Sequence, residues 1–227
     1  MKKFVLGLTL ALVMPAAAAI AADMAVKAPA RVAATTNWAG WYIGIEGGGD
    51  WGRFSQTNTV SGVSNGIFSQ KGGLVGGTAG YNWQTANWVY GLETDLSWTN
   101  LSGTQACGPG SAFICTTDMR ALGTFRGRVG MTVLDNVLIY ATGGLAYGDI
   151  HATRNAGATD SDSWRAGWTV GGGGEVMLMP HWSAKVEYLY ATFPGTATTY
   201  TIIANGNPIA ATERDVQIVR AGLNYHF

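Results

Sequence analysis

The chain has 227 residues, with 14 Lys plus Arg against 14 Asp plus Glu, 33 Gly, 9 Trp and 9 Tyr. With only 12% of residues charged, it offers no basic field that would point to nucleic acid. Glycine and aromatics at this level, over a length suited to one domain, favour an all-β chain of strands and turns over a helical one.

Met1 to Ala21 carries Lys2 and Lys3, an apolar run from Phe4 to Val13 and a small-residue stretch ending at Ala21. This fits a secretory signal cleaved before Ala22. A membrane-spanning helix is the weaker reading, because Pro15 interrupts the run and alanines follow it. Without the signal, 12 basic residues face 14 acidic ones. No later apolar stretch reaches the ~20 residues of a spanning helix, so a mature chain that crosses a membrane must do so as strands. Residues 22–37, with Lys27, Pro29 and Arg31, read as a flexible periplasmic leader ahead of a domain over 38–227.

Strand side chains alternate between two faces, and that period recurs along the chain. Trp41 to Trp51 sets Trp41, Ile43 and Ile45 against Glu46, and Gly73 to Trp83 aligns Val75, Ala79, Tyr81 and Trp83. Asn87 to Trp98 puts Trp88, Tyr90, Leu92, Leu96 and Trp98 opposite Glu93, Asp95 and Ser97. Met119 to Met131 sends Ala121, Phe125, Val129 and Met131 one way and Arg120, Arg126 and Arg128 the other. Val137 to Tyr147 is apolar on both faces, so its facing stays open. Ser163 to Leu178 separates Trp164, Trp168, Val170, Val176 and Leu178 from Arg165, Thr169 and Glu175, and Ser183 to Phe193 separates Val186, Tyr188 and Tyr190 from Lys185 and Glu187. From Val216 to the end, Val219, Ala221, Leu223, Tyr225 and Phe227 oppose Arg220, Asn224 and His226.

This gives eight strands, an even number that returns both ends of the sheet to one side. The connections sort by length: 84–86, 132–136 and 179–182 are short, whereas roughly 52–72, 99–118, 149–162 and 194–212 are long. Short periplasmic turns alternating with long extracellular loops are the outer-membrane barrel pattern. A lipocalin, with its apolar cavity and wetted exterior, has the opposite facing. The exterior positions carry no charge except Asp215, as lipid requires, since a charge at mid-membrane costs about 2–4 kcal/mol. Trp83, Trp88, Tyr225 and Phe227 then form a periplasmic girdle, and Trp98, Trp164 and Trp168 an outer one.

Several segments resemble a known family. They are Asn37-Trp38-Ala39-Gly40-Trp41-Tyr42-Ile43-Gly44, Ile139-Tyr140-Ala141-Thr142-Gly143-Gly144-Leu145-Ala146-Tyr147-Gly148, Trp182-Ser183-Ala184-Lys185-Val186-Glu187-Tyr188-Leu189-Tyr190 and Arg220-Ala221-Gly222-Leu223-Asn224-Tyr225-His226-Phe227. Together they resemble the opacity-protein-like surface antigens of Gram-negative bacteria, specifically the immunogenic outer-membrane "porin family" eight-stranded barrels of alphaproteobacteria. The resemblance covers Trp38 to Phe227 and implies an outer-membrane barrel with surface-exposed loops. The loops match no pattern that carries a partner over. The alternating Leu223, Tyr225 and Phe227 resemble the signal read by the barrel-assembly machinery, which implies that machinery and periplasmic chaperones as partners.

The inward set is the main chemical constellation: Glu46, Glu93, Asp95, Glu175 and Glu187 against Arg126, Arg128, Arg165, Lys185 and Arg220. Equal numbers predict pairing, and an eight-stranded barrel is just wide enough for side chains to fill its interior. A structural plug is the first expectation; a gated narrow passive channel, in which the pairs exchange partners, is the second. Cys107 and Cys115 flank Gly108-Pro109-Gly110 in an exported chain, which predicts a local disulfide contributing at most ~3 kcal/mol.

His151, His181 and His226 are spread over a long loop, a turn and the barrel end, so no metal site is expected. Gly171-Gly172-Gly173-Gly174 lacks the Gly-Lys-Ser/Thr of a phosphate loop and reads as a close-packing device. Lipid-modifying catalysis would need a base beside a nucleophile, and His151 with Ser161 or Ser163 is the one conceivable pairing. The expectation is a non-enzymatic outer-membrane surface barrel without cofactor. It contributes to envelope integrity, contacts outer-membrane lipid and presents loops to extracellular ligands or host molecules.

Overall fold

In the computed structural model, residues 36–58, 64–106, 114–154, 161–194, 198–201 and 208–227 are described, with backbone alone at 56–58, 64–65, 105, 115, 151–154, 161–163, 198–201 and 208–214. The strands are β1 (Gly40–Asn58), β2 (Ser64–Thr85), β3 (Trp88–Ala106), β4 (Ile114–Leu134), β5 (Val137–Arg154), β6 (Ser161–Met179), β7 (Trp182–Thr192), β8 (Thr198–Thr201) and β9 (Pro208–His226). Each pairs antiparallel with its neighbour in the order β1 to β7 and then β9, and β9 closes on β1. Eight strands therefore form the ring. The short β8 pairs only with the outer end of β9.

Over the height of β7, closure leaves no open sheet edge, which is what a hydrocarbon surrounding demands of a β-structure. The outward positions follow the expected parity. Trp41, Trp83, Trp88, Trp182 and Phe227 are exposed at the short-turn end, where Trp41–Tyr81–Trp83 and Trp182–Tyr225–Phe227 pack edge to face. Trp51, Trp98, Trp164 and Trp168 are exposed on the outer wall towards the other end. Val75 faces Trp98 across the β2–β3 ladder, and Val75 and Trp83 on β2 are separated by roughly 26 Å at ~3.3 Å per residue. At a strand tilt of about 35–45°, that run covers roughly 20 Å of height, most of the apolar band of an outer-membrane barrel, about 25 Å tall.

The strands are longer than their alternation foretells. Ten or so residues cross a bilayer, yet β2 has 22 and β4 has 21. Most of the segments expected as long loops are continued ladder: β1 runs to Asn58, β2 starts at Ser64, β3 ends at Ala106, and β5 runs on to Arg154. Beyond the lipid the outward face no longer has to be apolar, so sequences such as Ser64-Asn65-Gly66-Ile67-Phe68 lose the apolar alternation while the backbone pairing set below simply continues. His151, expected in a loop, is consequently in β5.

The open facing of Val137 to Tyr147 resolves cleanly. Leu138, Tyr140, Thr142 and Ala146 are buried inside, while Ile139 and Leu145 face out. Arg120 leaves the arginine face: the register slips between Met119 and Ala121, so Met119 and Leu122 both point in and Arg120 is exposed. The glycine run lies in β6. A Cβ at Gly171 would sit 2.1 Å from the Tyr188 carbonyl and one at Gly173 2.4 Å from that of Val186, so these positions admit nothing larger.

Candidate functional site: the filled lumen

The inward face is stacked in three levels. At the short-turn end the segment before β1 turns inward and buries Trp38 completely, against Val89, Leu138, Tyr140 and Met177. The Trp38 backbone is held by Gln84 Oε1, which accepts from its N–H at 2.7 Å, and by Asn82, whose Nδ2 donates to its carbonyl at 3.1 Å. Its ring meets His226 edge-on at 5.8 Å. The sequence pattern around Trp38 marked the opening of the barrel but not this plugging role.

The middle level is ionic. Arg126 contacts Glu93, Asp95 (3.1 Å) and Glu187 (2.9 Å), while its Nε donates to Thr124 at 2.8 Å. Arg220 contacts Glu46, Asp95 (3.1 Å) and Glu187 (2.7 Å). Lys185 Nζ lies 3.3 Å from both Glu46 and Glu93. Arg128 reaches Glu175 at 3.2 Å and Asn82 at 2.9 Å, with its guanidinium 4.7 Å and 5.2 Å from the ring centres of Tyr42 and Tyr140. Those tyrosines in turn donate to Glu93 (2.7 Å) and Glu187 (3.2 Å). All nine ionic side chains are buried. Each arginine fork is shared by two or more acceptors, the arrangement that best offsets the cost of removing charge from water.

Nine of the ten inward charges expected from the sequence meet here. Arg165 does not. It lies on β6 ten positions, roughly 33 Å at ~3.3 Å per residue, from Glu175, the cluster member on that strand. The expected five-to-five balance thus becomes Glu46, Glu93, Asp95, Glu175 and Glu187 against Arg126, Arg128, Lys185 and Arg220. His226 Nε2 sits 3.4 Å from Glu175.

The upper level was missed by the sequence reading. Leu74, Leu101, Met119, Leu122, Ala146, Ile150, Leu189, Ala191, Phe193, Val216 and Ile218 form one buried apolar cluster. The signal was available: Leu189 shares the parity of Lys185 and Glu187, and Ile218 that of Arg220. Because Tyr188, Tyr190 and Val219 beside them are apolar too, alternation of polarity fades just where the lumen turns oily.

Charges on the outer wall begin only beyond the lipid band. Asp215, expected as the lone exterior charge, is joined by Arg53, whose Nη2 lies 2.9 Å from it. Lys71 and Asp149 share that outward parity on β2 and β5. Asp50, also unforeseen, is buried inside and accepts from Thr99 at 2.5 Å.

Ser183, Glu175 and His226 meet at the bottom of the lumen: the serine hydroxyl is 2.5 Å from Glu175 Oε1 and 2.9 Å from His226 Nε2. A nucleophile's base is oriented by an acid on its other nitrogen. Here Glu175 approaches the same nitrogen, and Ser183 is wholly buried. Register pairs His151 with Asp162 rather than with Ser161 or Ser163; the side chains of all four lie outside the described residues. Among the described residues no group of three or more His, Cys, Asp or Glu could hold a metal. Cys107, and with it the expected Cys107–Cys115 bridge, lies outside the described residues.

The family model for an outer membrane protein beta-barrel domain matches residues 7–227. The 31 kDa outer-membrane immunogenic protein of Brucella melitensis is 35% identical over 94% of this chain and 95% of its own length. The 25 kDa outer-membrane immunogenic protein of Brucella abortus is 31% identical over 93% and 90%. The 22 kDa outer membrane protein of Rhizobium leguminosarum bv. viciae is 30% identical over 74% and 69%. Among solved structures, the outer membrane protease OmpT of Escherichia coli aligns with a TM-score of 0.51 at 11% identity, covering 83% of this chain and 97% of that one, a likeness of fold alone. With its closed ring, its uncharged lipid-facing band and these relatives, the chain belongs to the outer-membrane β-barrel family of the alphaproteobacterial immunogenic outer-membrane proteins, and its place is the cell outer membrane.

Proposed function

We propose that this protein is a non-conducting, non-enzymatic envelope barrel. It stiffens the outer membrane and holds four strand-built hairpins at the cell surface for contact with extracellular ligands or host molecules. The single observation that carries this reading is the filling of the lumen at all three levels. Trp38 and its apolar neighbours close the bottom, the ion pairs fill the middle, and the cluster from Leu74 to Ile218 fills the top. An apolar layer above a charge layer leaves no wetted path of the kind a passive channel needs, so the packing favours a plug over the narrow pore.

The names of the Brucella relatives, as immunogenic outer-membrane proteins, support a surface-displayed role. The exposed Leu223 and Phe227 at the end of the chain, with Tyr225 between them, support recognition by the barrel-assembly machinery during insertion. Short turns at 86–87, 135–136 and 180–181 then face the periplasm.

An epitope placed between Asn58 and Ser64 tests the display. It is expected to bind antibody on intact cells, whereas the same epitope between Ala86 and Asn87 is expected to bind only after the outer membrane is permeabilised. The reverse pattern would overturn the orientation and with it the surface role.

A further inference from the structure

The geometry points to a phospholipid site on the outer wall: a cleft of about 440 Å³ across β2 and β3 that holds one acyl chain. One ridge of the cleft is aromatic. Trp41 packs edge to face on Tyr81 at 5.1 Å, and Tyr81 on Trp83 at 4.8 Å. The other ridge is made by Leu92 and Phe125, both exposed. Between the ridges Ala79 of β2 and Thr94 of β3 face each other across the ladder, two small side chains where the neighbouring outward positions carry Tyr81, Leu92 and Leu96.

The floor asks for no water. The Thr94 hydroxyl donates to the Thr124 carbonyl at 3.0 Å, and the Glu93 side chain beneath is committed to Arg126 and Lys185 in the lumen. The volume lies within the ~300–1,000 Å³ of small-molecule pockets. The cleft is also continuous with the lipid-facing wall. Trp41 and Trp83 belong to the girdle at the short-turn end, and Ala79 lies four residues from Trp83 towards mid-membrane, about 13 Å along the strand at ~3.3 Å per residue. Whatever fills it therefore comes from the bilayer.

A second barrel fills it poorly. The ring is closed, its wall is convex, and the exposed rings of Trp41 and Phe125 stand between a facing wall and the floor. A flexible chain lies along such a furrow and gains close contacts that an empty cleft forgoes. The indole N–H groups of Trp41 and Trp83, at headgroup level, suit the ester carbonyls and phosphate at the head of that chain. On the orientation proposed above the lipid belongs to the periplasmic leaflet; the cleft itself does not depend on that orientation.

The test is native mass spectrometry of the refolded barrel released from mixed micelles and titrated with palmitoyl-oleoyl phosphatidylethanolamine, with heat-modifiable migration as proof of folding. The wild type is expected to retain one phospholipid saturably. Ala79→Leu, which fills the floor, is expected to weaken that binding about tenfold or more. Ala221→Leu, at an exposed outward position on β9 away from the cleft, is expected to leave it unchanged. Dihexanoyl phosphatidylethanolamine, with the same headgroup and little chain to bury, is expected to bind about tenfold more weakly than the long-chain lipid. Equal binding by the wild type and Ala79→Leu, or a ladder of several lipids without saturation, would mean annular lipid only and overturn the site. Equal retention of the short and long lipids would move the contact to the headgroup and overturn it too. A folded wild type that retains no lipid would overturn it even if Ala79→Leu failed to fold. A dimer present in the wild type and absent from Ala79→Leu would put a second copy of the chain in the cleft in place of the lipid.

Discussion

Nine ionised side chains fill the middle of the lumen, and eleven apolar ones fill the level above it, in the same cylinder and at the same depth of burial. The two levels are stabilised in different ways. Leu101 or Leu189 contributes through apolar area and close contact, and its loss leaves a cavity of bounded cost. Arg126 contributes because Glu93, Asp95 and Glu187 all depend on it, and its loss leaves charges with no solvent to turn to. A barrel this narrow can be plugged by either chemistry. The ionic level ties β1, β3, β4, β6, β7 and β9 to one another across the lumen, while the oily level lies above it.

Removing Arg126 should break that comparison hardest. Arg126→Ala is expected to lower stability by about 3–5 kcal/mol, the loss typical of stranding one side of a buried ionic group. Urea titration of the refolded barrel would measure it, and a loss under 1 kcal/mol would mean that water already reaches Glu93. Leu189→Ala in the apolar level should cost about 2–3 kcal/mol by the same titration, within the range of cavity-forming core truncations. A loss larger than that of Arg126→Ala would invert the assignment of the two levels. Thr124→Val keeps the volume but removes the hydroxyl that serves both Asp95 and Arg126. It is expected to cost about 1–2 kcal/mol, the scale of a buried hydrogen bond to a charged group.

The smallest effect is expected on the outer wall. The Arg53 side chain is 55% exposed, so Arg53→Ala should leave the urea midpoint almost unchanged and any difference should fade with added salt. Arg126→Ala should keep its penalty in the same salt series, because buried pairs are little screened. Equal salt sensitivity in the two variants would show that the lumen is wetted.

The ring itself was legible because lipid and lumen impose opposite rules on alternate residues. Trp88, Tyr90 and Leu92 against Glu93 and Asp95 leave little choice of facing. That signal fails where the two faces share a polarity. Leu138 and Tyr140 point inward towards Trp38, so β5 reads as apolar on both sides at its lower end. Above the lipid the outward face is free to be polar, and ladder residues such as Ser64 to Gln70 read as loop. Arg120 was misplaced by the register slip beside it, and Arg165 because parity gives a face but not a height. The partners that complete the ionic level, Tyr42, Thr124, Ser183 and Asn224, are ordinary residues whose importance rests on which strand lies opposite.

The central claim is that the lumen is solid. Single-channel recording of the refolded protein in a planar bilayer tests it most directly, with heat-modifiable migration confirming that the barrel has folded. The filled lumen predicts a flat current across the applied voltage range. Reproducible discrete steps in the wild type, altered by Glu93→Gln, would contradict the plug and make the ionic level the gate of a pore.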